Sequence, residues 1–309
     1  PNVYGLTNSA IYFAGIEVSR DQLVLVITDL QNNIIQSERK SDFALDDTDE
    51  CLETICSTIE NFLAGSGIDR TKLLGIGVCM AGRVNPKTGR SYKYFTHKEQ
   101  SLSEIMEKRF GHRVLIENDT RARCYGEYVK GCTGQEKNII YLNLGRGVAI
   151  GIIIDGKIYG GAKGVAGEMG HILVHPDGRR CGCGQKGCYE QYASCTALVR
   201  NSYEANPEWG SGRIIFKEFY AGNKQAEKII NDWIEEIVLG LVTLVHIFNP
   251  SCIVLGGGIM NEQYIIDRVN RLLQEHIMPS YRCVEVKHAK LGNNAGLYGM
   301  LATVQQKLR

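Results

Sequence analysis

The chain has 309 residues, 44% hydrophobic and 22% charged, with a formal net charge of +1. That length suits two domains better than one core, and the even charge balance gives no basic patch for nucleic acid in the chain as a whole. Eleven cysteines, odd in number and dispersed outside one cluster, read as reduced cytosolic thiols rather than a disulfide framework. With neither a signal peptide nor an apolar run of membrane-spanning length, the expected location is the cytoplasm.

Residues 1–10, PNVYGLTNSA, carry no helical or strand period and read as an extended lead-in. The first residue is proline, not methionine, so a processed chain or a piece of a longer one is expected. Ile11 to Val18 and Gln22 to Asp29 are strand-like runs joined by the turn Ser19-Arg20-Asp21, and Asn32-Asn33 marks the next turn. A helix is predicted over 48–64, with Leu52, Ile55, Cys56, Ile59, Phe62 and Leu63 on one face and Gly65 just past its end. Leu73 to Met80 is a buried strand that opens into a loop at Ala81-Gly82. Ser101 and Glu104 form a capping box for a helix ending at Gly111. Arg113 to Ile116 is a short strand running into Glu117-Asn118-Asp119.

The second half repeats the opening pattern. Asn138 to Leu144, the turn Gly145-Arg146-Gly147, Val148 to Ile154 and the turn Asp155-Gly156 form another hairpin, which predicts two similar α/β lobes. Residues 226–248 read as a long apolar helix stopped by Asn249-Pro250. Cys252 to Leu255 is a buried strand leading to Gly256-Gly257-Gly258, and a last helix near 294–308 presents Ala295, Gly296 and Gly299 for close packing.

The densest chemistry lies between Gly164 and Glu190. Cys181, Cys183 and Cys188 fall within eight residues, with His171 ten residues upstream. Three thiolates and an imidazole suit a closed tetrahedral zinc site, and short Cys-Gly knuckles in non-secreted chains bind metal more often than they hold unrelated thiols. His175 is a rival fourth ligand on spacing alone. A metal-bound histidine offers its second ring nitrogen to another group, so His171 is expected to face a ligand between Glu168 and Glu190. Two carboxylates and an imidazole make a hydroxyl-reading set, as a sugar requires. Asn118 and Asp119 end a strand, where ligands of open α/β sheets collect. Asp119 there serves equally as a general base or, with Asn118, as an ordinary helix cap.

Gly167-Glu168-Met169-Gly170-His171, followed by Cys181-Gly182-Cys183-Gly184-x-x-Gly187-Cys188-x-Glu190, resembles the signature of the ROK family (repressors, open reading frames and sugar kinases). Tyr189 stands where the family most often has leucine. The resemblance covers nearly the whole chain and implies a two-lobed actin-like (ribonuclease H-like) ATPase fold with a zinc knuckle. It places residues 1–118 and a returning helix over 293–309 in a smaller lobe, residues 119–292 in a larger one, and the ligand in the cleft between. Glu117-Asn118-Asp119 resembles the family segment whose aspartate is the kinase base and whose asparagine holds the sugar. Gly82 corresponds to a ligand-side glycine loop, and Arg121 departs from the small polar residue usual in kinases.

Against that pattern the phosphate loops are altered. Glu17-Val18-Ser19-Arg20-Asp21 replaces a kinase motif close to D-x-G-G-T, losing both glycines and the threonine that cradle phosphates. Gly145-Arg146-Gly147 replaces a Gly-Thr-Gly core, while Gly256-Gly257-Gly258 keeps the adenine-side glycines. Pro1 to Leu6 resembles the linker that follows a DNA-binding helix-turn-helix in ROK repressors. The sequence therefore predicts the sugar-sensing domain of a ROK regulator, binding a sugar or sugar phosphate, with DNA contacted by an absent N-terminal domain and a dimer or higher assembly. The alternative is a sugar kinase using ATP and magnesium with Asp119 as base.

Overall fold

The period of two along the first strands decides which helices cover which face. The computed structural model describes residues 7–308; the segment Pro1–Leu6, read above as a linker, lies outside them. Tyr12–Val18 (β1) and Leu23–Asp29 (β2) form an antiparallel hairpin, and Ile34–Lys40 (β3) adds to β2. After the helix Asp49–Gly65 (α1), Leu73–Met80 (β4) pairs in parallel with β1. A short ribbon, Val84–Asn85 (β5) and Arg90–Ser91 (β6), and the helix Leu102–Phe110 (α2) lead to Val114–Asn118 (β7), parallel to β4. The helix Asp119–Lys130 (α3) follows at once. The sheet order is β3-β2-β1-β4-β7.

The second sheet repeats this topology strand for strand. Ile139–Leu144 (β8), Val148–Ile154 (β9) and Lys157–Ile158 (β10) make the antiparallel run. Helices Glu190–Ala193 (α4), Cys195–Ala205 (α5), Gly212–Tyr220 (α6) and Lys224–Phe248 (α7) precede Cys252–Gly256 (β11), which pairs in parallel with β8. Gln263–His276 (α8) and Glu285–His288 (β12) complete the order β10-β9-β8-β11-β12, and Ala295–Leu308 (α9) closes the chain. The duplicated hairpin expected from the sequence is thus a duplicated five-stranded mixed sheet.

Ala14, Ile16 and Val18 join the cluster with α1 and α2, while Phe13 and Gly15 face α9. Both faces are covered, so β1 and β2 read as nearly continuous apolar runs. The same alternation turns Glu17 under α9, leaving it 2% exposed. In the other unit α7 lays Ile230, Trp233, Ile237, Leu241 and Leu244 against β8, β9 and β11. Among the described residues no helix is long and apolar enough to cross a membrane.

The chain divides into two compact units. One holds the described residues through Lys130, Gly160–Ala166 and the stretch from Asn293; the other holds Gly131–Tyr159 and Gly167–Gly292. The first unit thus runs on through α3. The cause is the packing of α3 on α9, where two glycine faces meet. A Cβ on Gly126 would lie 2.0 Å from the Ala295 carbonyl oxygen, and one on Gly299 would lie 1.9 Å from that of Ala122. Gly299→Ala should therefore lower stability by about 3 kcal/mol, the upper range for overpacking. Denaturant melts of the two proteins measure this, and an unchanged midpoint would show that the helices separate freely.

Candidate functional site

Each unit carries a group of polar side chains at the ends of its strands. In the second unit the loop Gly167–His171 lies directly on β9, whose Ile150 amide donates to the Gly167 carbonyl at 2.8 Å. Gly167 has φ +108°, and a Cβ there would meet the Ile150 carbonyl oxygen at 2.1 Å; at Gly170 it would meet that of Val148 at 2.3 Å. Only glycine tolerates this backbone approach. Met169 is buried while Glu168 and His171 are exposed. The Glu190 carboxylate, at the start of α4, accepts from the Val148 amide at 3.2 Å.

His171 stands between two partners. Its Nδ1 is 3.6 Å from Cys181 Sγ, and its Nε2 is 3.9 Å from a Glu168 carboxylate oxygen. Cys183 and Cys188 bring their sulfurs within 3.5 Å, and one donor atom from each of His171, Cys181, Cys183 and Cys188 lies within 4.8 Å of every other. A tetrahedral ion with metal–sulfur bonds of about 2.3 Å needs donor separations of about 3.8 Å, so the set fits a metal. Burial pushes the Cys188 thiol up, while a hydrogen bond from the Gln185 backbone pulls the Cys183 thiol down. A divalent cation would offset the cost of a buried thiolate. His175, the rival ligand, instead pairs with Glu236 at 3.0 Å and packs on Tyr192.

In the first unit Val18, Met80 and Asn118 are register partners across β1, β4 and β7. Their following residues gather at one end of the sheet. Asn118 does act as a cap, its Oδ1 accepting from the Arg121 amide at 3.1 Å. Its Nδ2 donates to the Gly82 carbonyl at 2.8 Å and to Asp119 Oδ1 at 2.9 Å. Asn118 therefore fixes both the glycine loop and the aspartate. Burial raises the Asp119 carboxyl, with Arg123, the Thr120 amide and Arg20 pulling it back. Arg121, 3% exposed, bonds to Glu117 and to the Val84 carbonyl at 2.7 Å.

The turn joining β1 and β2 is a tight hairpin, with the Ser19 amide donating to the Gln22 carbonyl at 3.0 Å. No residue from Val18 to Gln22 has positive φ. The Ser19 hydroxyl donates to the Glu17 carboxylate at 3.2 Å, and Glu17 also pairs with Arg123 of α3. Sequence reasoning missed Arg123, because it lies 106 residues from Glu17. A buried acid on a central strand was the available signal that a cation must face it.

Residues 13–307 match the sequence model of the ROK family. The chain is 32% identical over 309 residues to the glucokinase of Streptomyces coelicolor, covering 92% of this chain and 95% of the relative. It is 26% identical over 307 residues to the xylose repressor of Bacillus spizizenii, covering 98% of this chain and 79% of the repressor. Among solved structures, a ROK glucokinase from Streptomyces griseus in complex with glucose and AMPPNP superposes with TM-score 0.80 at 29% identity, over 96% of this chain and 99% of that one. A ROK transcriptional regulator homologous to the Escherichia coli MLC protein superposes with TM-score 0.86 at 24% identity, over 97% of this chain and 79% of that one, a likeness of fold. The α/β fold with mixed sheets is that of these actin-like neighbours, and kinases and repressors stand side by side among the relatives. By signature, fold and full-length match, the chain belongs to the ROK family.

Proposed function

We propose that this chain is the cytoplasmic sugar-sensing domain of a ROK transcriptional regulator, with DNA contacted by a segment outside the present sequence. The observation that carries the reading is the β1–β2 turn. A loop that cradles nucleotide phosphates offers backbone amides and a free hydroxyl. Here the hydroxyl of Ser19 is spent on Glu17, and Glu17 is buried and matched to Arg123. The turn thus offers a phosphate neither a free hydroxyl nor net positive charge, only a neutral buried ion pair beneath it. The match to a repressor over nearly all of this chain supports the same reading.

Within the second unit sugar hydroxyls are assigned to Glu168, His171 and Glu190; within the first, taken by itself, Asn118, Asp119 and Gly82 form the polar group assigned to the same chemistry. Asn118, already holding Gly82 and Asp119, contributes mainly by fixing them. The metal proposed for His171, Cys181, Cys183 and Cys188 is zinc, since thiolates select it over magnesium or calcium. Bound there, it supplies no chemistry beyond folding energy and a fixed imidazole. With Nδ1 on the metal, His171 presents Nε2 beside Glu168 at little ordering cost. Such a site discriminates by leaving buried polar groups unpaired when a hydroxyl is missing.

The second reading is a sugar kinase using ATP and magnesium. It is favoured by the raised Asp119 carboxyl, a better base than an ordinary aspartate, by the retained Gly256-Gly257-Gly258 run and by the glucokinase relatives.

Elemental analysis of protein purified without chelator should find one zinc per chain, and Cys183→Ser should lose it together with several kcal/mol of stability. A folded, metal-free protein would remove the zinc assignment. Incubation with Mg·ATP and a panel of hexoses, N-acetylhexosamines and pentoses should release no ADP above background; sugar-dependent release would establish the kinase. In a thermal-shift series over the same sugars, Glu168→Ala should weaken binding by about tenfold or more while keeping its zinc. Equal stabilisation of wild type and variant would place the ligand elsewhere.

A further inference from the structure

Arg121, in the first turn of α3, departs from the ROK kinase pattern, and neither sugar nor metal is assigned to it. It is 3% exposed, so its charge must be met inside the unit. Its Nε and Nη2 lie 2.8 and 2.6 Å from Oε1 of Glu117, near the end of β7. Glu117 alone would satisfy the charge. The guanidinium nevertheless reaches two carbonyls as well. Nη2 donates to that of Val84 in β5 at 2.7 Å, and Nη1 to that of Ala166 at 3.4 Å.

Ala166 ends the segment Gly160–Ala166, which belongs to the same compact unit as Arg121 although the chain on either side of it belongs to the other. The segment is a short loop tied at its neck, where the Ala166 amide donates to the Gly160 carbonyl at 3.1 Å. It packs on the chain that follows Val84. Gly164 has φ +68°, and a Cβ there would meet Pro86 Cδ at 2.8 Å and Asn85 Oδ1 at 2.9 Å. Arg121 therefore holds both β5 and the loop seated beside it. Glu168, with its side chain exposed, stands two residues beyond Ala166.

We propose that Arg121 is a positioning residue for sugar binding, whose forked hold on Val84 and Ala166 fixes the chain from which Glu168 is presented. This rests on the sugar-sensor reading above. Arg121 itself touches no sugar. A fixed starting point for Glu168 lowers the ordering cost of its hydroxyl contact, and a slack Gly160–Ala166 loop would restore that cost at binding. Lysine carries the same charge and can neutralise Glu117. Its single ammonium lacks the planar fork, so it does not hold one carboxylate and two carbonyls together. An ion pair kept only for folding tolerates that exchange, whereas a positioning fork does not.

Calorimetric titrations of the full chain with a panel of hexoses, pentoses, N-acetylhexosamines and their phosphates test this. Wild type is compared with Arg121→Lys and with the double variant Arg121→Gln/Glu117→Gln, which leaves no buried charge unpaired. Hydrogen exchange of the unliganded proteins is followed in parallel. For the tightest-binding sugar, Kd should rise about tenfold in both variants. Amide exchange over 160–168 should quicken by about tenfold or more, while Arg121→Lys keeps the melting temperature and metal content of wild type. An unchanged Kd in folded Arg121→Lys, or a raised Kd with unchanged exchange over 160–168, overturns the proposal and leaves the sensor reading standing. Faster exchange throughout the unit also overturns it, since Arg121 would then serve stability alone. If Arg121→Lys does not fold, the double variant decides by the same two readings. Wild type that binds no sugar of the panel overturns the sensor reading, and the proposal with it.

Discussion

Glu17 is a carboxylate on a central strand, covered on its own face by α3 and α9, and the first unit is arranged so that it never meets that cover alone. An unpaired ionised group at that depth costs several kcal/mol. Arg123 meets it from α3, the Ser19 hydroxyl from the turn, and Gly296 leaves room for it beneath α9. Each partner is thereby fixed. The turn is drawn down onto Glu17, α3 is held across the strand ends, and Asp119 at the head of α3 is placed beside the glycine loop. The same pairing engages the Ser19 hydroxyl of the turn.

The second unit solves a different problem by similar means. Its loop carries Glu168 and His171 on either side of buried Met169 and lies in close backbone contact with β9. Glu190 is anchored to the Val148 amide next to the same strand.

The sequence carried the fold where its signals were local. The capping box at Ser101 and Glu104 is present, α7 ends at left-handed Asn249 before Pro250, and the repeated hairpin became a repeated sheet. β3 was invisible because it is an edge strand with mostly exposed residues, so Ile34 to Lys40 shows no inward period. The signature points to His171 rather than His175 as the fourth donor, and the structure pairs His175 with Glu236 on α7. The Glu17–Arg123 pair was beyond pattern reading altogether. The loss of glycines in the turn was legible, but not what the replacing side chains do with one another.

The account depends most on the β1–β2 turn being closed to nucleotide. Calorimetric titration of Mg·AMPPNP into zinc-loaded protein already saturated with its preferred sugar addresses that directly, because the bound sugar removes any dependence of nucleotide binding on prior ligand. The account predicts no saturable heat, with Kd weaker than about 1 mM, or about −4 kcal/mol. A stoichiometric transition with Kd in the micromolar range would contradict it and favour the kinase reading.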